Sequence, residues 1–118
     1  MTFTHEEYYT MAMALNGDLD DAEFTLGIIM ENINDIPNDW LITLFYICPS
    51  SINRPLQDYT YKRLGYRAGQ LIVLVPGVYD QNEDRHSINE RTPENAAKIE
   101  VIYNNVVKHL KTKPYPKC

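Results

Sequence analysis

"WLITLFYIC", Trp40 to Cys48, is the stretch whose reading decides the fold. It is apolar on nearly every side, broken only by Thr43, so periodicity alone does not separate a buried helix from a buried strand. Pro37 before it and Pro49 after it set its ends, and Asn38 or Asp39 is placed to act as a helix N-cap. A lone strand would lack a pairing partner, whereas the neighbouring segments read as helices. The segment is therefore expected to be a central helix. The alternative is an α+β fold in which 40–48 and 70–75 form a short sheet. "QLIVLVPG", Gln70 to Gly77, invites it: the run from Leu71 to Val75 is apolar, rich in β-branched residues and closed by Pro-Gly. The helix is the preferred reading there too.

Working outward toward the N-terminus, Thr4-His5-Glu6-Glu7 has the form of a capping box, with Phe3 and Tyr8 at the two positions of a hydrophobic staple. Tyr8, Met11, Ala12 and Leu15 then recur at helical spacing, and Asn16-Gly17 reads as a left-handed stop. "NGDLDDAEF", Asn16 to Phe24, crowds four carboxylates together. An EF-hand loop needs glycine at its sixth position and glutamate at its twelfth. Counting from Asn16 puts Asp21 and Gly27 there, and counting from Asp18 puts Ala22 fifth and Ile29 twelfth, so both registers fail. A helix start fits instead. Asp18 is a good N-cap, and Asp20, Asp21 and Glu23 fall where exposed amides and the helix dipole favour negative charge. Leu19, Ala22, Leu26, Ile29, Met30 and Ile33 are expected as the apolar stripe of that helix, which Asn34 to Asn38 ends.

Toward the C-terminus, "CPSSINRP" is a turn-rich link into a segment running from Pro55 toward Ala68. Leu56, Tyr59 and Leu64 are predicted to face the core, with Lys62, Arg63 and Arg67 more exposed, and Gly65 and Gly69 weaken the helix late. Val78 to Arg91 is polar and aperiodic and predicts a surface loop. Thr92-Pro93-Glu94 opens the clearest helix, with Ile99, Ile102, Tyr103, Val106, Val107 and Leu110 on its apolar face. Pro114 and Pro116 close regular structure, so 112–118 is expected as a flexible basic tail. The fold expected is mostly α: residues 1–118 as one small domain of about five helices around the central apolar one.

Charge is the best functional clue. The nine carboxylates Glu6, Glu7, Asp18, Asp20, Asp21, Glu23, Glu31, Asp35 and Asp39 all precede Arg54, the first Lys or Arg, so residues 1–53 carry −9. The later part sets eleven Lys/Arg against seven Asp/Glu, a balance of +4. Such lopsidedness makes a directional field that steers charged partners without dictating a fold. There is no run of about 18 apolar residues and no secretory leader pattern, which predicts a cytoplasmic protein with no membrane span. Two cysteines make no disulfide framework; Cys48 reads as a core residue and Cys118 as exposed.

Three constellations bear on chemistry. Asp80, Glu83, Asp84 and His86 carry oxygen and nitrogen donors within seven residues, but a solvated loop accounts for them, and His5, His86 and His109 stand far apart. No nucleophile elbow, phosphate loop or dinucleotide fingerprint occurs, so neither an enzyme nor a cofactor is expected. "YTYKRLGYR", Tyr59 to Arg67, interleaves Tyr59, Tyr61 and Tyr66 with Lys62, Arg63 and Arg67, and Arg54 lies upstream; cations beside rings suit single-stranded nucleic acid or a nucleotide. The preferred expectation is a small interaction module, of antagonist, immunity or accessory type. It would dock an acidic face, Asp18, Asp20, Asp21, Glu23 and Glu31, on a basic protein surface. The nine tyrosines suit an interface as well as a small core. The opposed charges also leave open a homo-oligomer.

Overall fold

The computed structural model describes residues 3–49, 51–74 and 93–112. Among them are six α-helices and a 3-10 turn, and no strand. Their order is α1 His5–Leu15, α2 Leu19–Glu31, the turn Ile33–Asp35, α3 Asn38–Ile47, α4 Arg54–Leu64, α5 Ala68–Leu74 and α6 Pro93–Thr112. The mostly helical fold is the preferred one; the sheet between 40–48 and 70–75 is not formed. The loop 78–91, the Thr92 cap and the tail beyond Thr112 lie outside the described residues.

Local signals explain the helix starts. The Glu7 amide donates to Thr4 Oγ1 at 3.1 Å while the Thr4 amide donates to Glu7 Oε1 at 2.8 Å, closing the capping box. The staple rings of Phe3 and Tyr8 meet edge to face at 5.7 Å. Asp18 caps α2 by accepting from the Asp21 amide at 2.9 Å. Two expectations need correction. Gly17 is not left-handed, because positive φ among the described residues occurs only at Gly65. Its amide bonds to the Ala14 carbonyl at 3.1 Å, which turns the chain directly into the extended Asp18. And α3 starts one residue earlier than an Asn38 cap implies and two earlier than an Asp39 cap implies. Pro37 is its N-cap, already extended at φ −63° and ψ 155°, and its carbonyl accepts from the Leu41 amide at 2.8 Å.

The central helix is buried from Trp40 to its end. Every residue of α3 from Trp40 to Ile47 is covered, as is the free thiol of Cys48. Burial of each large apolar side chain is worth about 1.5–3 kcal/mol, and with no second strand among the described residues only a helix pairs the buried backbone groups of this segment internally. With 40–48 helical, 70–74 has no partner strand among the described residues. It coils instead into α5, which buries Leu71 and Leu74 one turn apart and leaves Val73 exposed. The Tyr46 hydroxyl donates to the Leu71 carbonyl at 2.5 Å, tying α3 to α5.

Rings join the two ends of the chain to the centre. Trp40 lies between Tyr8, 5.2 Å away and tilted 21°, and Tyr103, 4.4 Å away and tilted 25°. His5 meets the rings of Tyr9, Trp40 and Tyr103 edge to face at 4.8, 5.1 and 5.0 Å. Its Nε2 stands 3.8 Å from Glu100 Oε2. Thus α1, α3 and α6 share one aromatic seam, and α2 packs on α1 at the edge of the molecule with an outer face open to solvent.

Candidate partner-docking surface

Helical geometry sorts the residues of α2 into two faces. Ala22, Thr25, Leu26 and Ile29 turn inward and are buried, with Met30 partly buried against the core. Asp20, Glu23, Phe24, Gly27 and Glu31 turn outward. Leu19, expected in the apolar stripe, is 50% exposed. Periodicity sets the direction of its side chain, but at the helix tip no neighbour covers it.

Of the five carboxylates named from the sequence, Asp18 is engaged as the cap. Asp20, Asp21, Glu23 and Glu31 are all exposed on the same helix, and among the described residues none of these four makes an ion pair. The described arginines and lysines do not neutralise them. The dipole of α2 stabilises Asp20 and Asp21 in the first turn by about 0.3–1 kcal/mol each, whereas Glu31 sits in the last turn, where the same dipole opposes it and no basic residue compensates. The Glu31 charge therefore does not stabilise the helix that carries it.

Two residues that the charge pattern did not single out complete the surface. Phe24 is 73% exposed, the most open of the large apolar side chains described, and stands among the carboxylates. Its angular position, opposite Ala22, Leu26 and Ile29, is the signal in the sequence that marks it. Gly27 follows one turn later on the same face. A Cβ added there meets nothing within 4 Å. Glycine in a helix interior costs about 1 kcal/mol relative to alanine, and here the fold derives no packing advantage from it.

The basic-aromatic segment is divided by the fold. Tyr66 is 4% exposed and belongs to the core. Tyr59 is half-buried, its hydroxyl donating to Asn34 Oδ1 at 2.8 Å. Arg63 lies 6.0 Å from the centre of the Tyr59 ring and reaches the Ile33 carbonyl at 3.5 Å, so both side chains clip α4 to the 3-10 turn. Arg54, Tyr61, Lys62 and Arg67 remain exposed. Arg54 pairs with Asp58 at 3.8 Å. The Arg67 guanidinium sits 5.1 Å over the Tyr61 ring and donates to its hydroxyl at 3.3 Å. The Asp80 to His86 cluster lies outside the described residues.

Elsewhere, a cleft of about 390 Å³ opens between Pro37, Asn38 and Asp39 on one side and Val107, Leu110 and Lys111 on the other. Its carboxylate is occupied, because the Tyr103 hydroxyl donates to Asp39 Oδ2 at 2.6 Å. Among the described residues no three His, Cys, Asp or Glu side chains gather as metal ligands. No described helix is long and apolar enough to cross a membrane. Comparison with protein-family models, curated proteins and solved structures returns no match to the chain.

Proposed function

We propose that this chain is a small protein-interaction module, of antagonist, immunity or accessory type, that docks the outer face of α2 on a basic surface of a partner protein. The observation that carries the reading is Phe24, exposed in the middle of carboxylates that no basic side chain among the described residues answers. An exposed aromatic flanked by unanswered charge has the composition of an interface anchor with a polar rim. Asp20, Asp21, Glu23 and Glu31 steer the encounter and set orientation, chiefly raising the association rate, while Phe24 supplies the buried contact. The reading gives the chain no catalytic step.

The test is recovery of a basic protein from the native cell at low and at high salt, followed by its association kinetics with purified variants. Charge reversal at Asp20 and Asp21 should slow association and flatten its salt dependence, and Phe24→Ala should speed dissociation. Unchanged rates in both variants would remove this face from the function.

A second reading, binding of single-stranded nucleic acid or a nucleotide, rests on Tyr61 as the exposed ring of its segment, with Arg54, Lys62 and Arg67 around it. Salt-sensitive binding of a labelled oligonucleotide that disappears in an Arg54→Ala/Lys62→Ala/Arg67→Ala chain would favour it.

A further inference from the structure

The acidic face of α2 has a counterpart in the same molecule. On α2, Asp20, Phe24, Gly27 and Glu31 recur at intervals of four, three and four residues, the spacing of a seam that meets another helix. On α4 and its cap, Arg54, Asp58, Tyr61 and Gly65 recur at the same intervals, with the Arg54 side chain 82% exposed and Tyr61 44% exposed. Each seam runs over twelve residues, about 17 Å from first to last at the helical rise. One is acidic around an open phenylalanine, and the other sets Arg54 and Asp58 around a half-exposed tyrosine, with the exposed Lys62 on its flank.

We infer that a second copy of this chain is a partner of the α2 face, its α4 lying antiparallel along it. Setting Phe24 across from Tyr61 fixes the register. Glu31 then stands opposite Arg54, and Asp21 flanks Lys62. Gly27 falls opposite Asp58, so at the one place where two acids would otherwise meet, α2 presents no side chain. Gly27 also lets the two backbones approach closely, a use the isolated fold does not make of it. An aromatic pair in the middle and opposite charges at Glu31 with Arg54 and Asp21 with Lys62 are favourable contacts between two helices.

This inference rests on the docking reading of α2 and names an occupant for it, but its test contains no other protein, so its failure leaves docking on a foreign basic surface standing. Sedimentation of the wild-type chain over a concentration series is compared at about 10 mM and about 1 M salt, where the screening length falls from about 30 Å to about 3 Å. Self-association at low salt should weaken at least tenfold at high salt. Asp21→Lys/Glu31→Lys and Arg54→Glu/Lys62→Glu chains, each checked for unchanged helicity, should be monomeric alone. Mixed together they should associate again, because the reversed α2 of one meets the reversed α4 of the other, while the two unmodified faces still match. A wild type that stays monomeric throughout, variants that self-associate as well as the wild type, or a mixture that stays monomeric each overturns the proposal.

Discussion

The Tyr103 hydroxyl donates to the Asp39 carboxylate at 2.6 Å, tying the middle of α6 to the first turn of α3. The same ring stacks on Trp40, so one side chain holds the central helix by a charge-assisted hydrogen bond and by ring contact together. Tyr103→Phe keeps the stack and loses the bond, which should cost about 1.5–3 kcal/mol, less whatever the partly exposed carboxylate regains from water. Tyr103→Ala should cost about 3–5 kcal/mol by also opening a cavity beside Trp40. Urea unfolding followed by Trp40 fluorescence measures both. A cycle with Asp39→Asn in which the two losses add independently would deny the coupling.

The same seam sets the alkaline limit of the fold. Burial pushes the phenol pKa of Tyr8 up, helped by the Asp35, Asp39 and Glu7 carboxylates and opposed by the Phe3 backbone. Burial also raises that of Tyr103, followed by its hydrogen bond to Asp39. In the unfolded chain both ionise near pH ~10. Above that pH the unfolded state sheds protons that the folded state retains, so this contribution is complete below about pH 10 and is lost as pH climbs toward the raised folded values. Urea midpoints should fall steeply above about pH 10, and Tyr103→Phe should reduce the slope. A wild-type slope matching that of the variant would contradict the assignment.

Two glycines should respond to alanine with opposite signs. Gly27→Ala lies in open space in a helix interior and should stabilise the chain by about 0.5–1 kcal/mol. Gly65 closes α4 at φ 91°, its amide bonded to the Tyr61 carbonyl at 2.8 Å. Alanine there must enter the left-handed region at a cost of about 1–2 kcal/mol. Thermal melts of the two variants test the contrast directly.

The carboxylates of α2 should separate in the same way. Asp18→Ala removes the cap bond to the Asp21 amide and should cost about 1 kcal/mol. Glu31→Gln removes a charge from the unfavourable end of the helix and should be neutral or stabilising by up to about 0.5 kcal/mol. Phe24→Ser, at an exposed position, should change stability by less than about 0.5 kcal/mol while reducing any association through this face. A large loss of stability from Phe24→Ser would mean that the ring serves the fold rather than an interface.

Caps by themselves determined where α1 and α2 begin, and helical periodicity most of the residues that α2 sends inward. Thr4 and Asp18 cap as their spacing predicts, and Ala22, Leu26 and Ile29 lie where helical periodicity puts them, because these signals act through contacts within a few residues. The charge asymmetry was equally legible. Local chemistry could not decide between helix and strand for 40–48 and 70–75, since an all-apolar run satisfies either until its neighbours are known; burial of α3 inside the bundle settled both segments. Nor could it show that Tyr66 turns into the core while Tyr61 faces solvent, that Leu19 is left half-bare, or that Trp40 is held between Tyr8 and Tyr103. Those outcomes depend on which surfaces of distant segments meet, and exposure is a property of the whole packed chain that spacing along one helix does not contain.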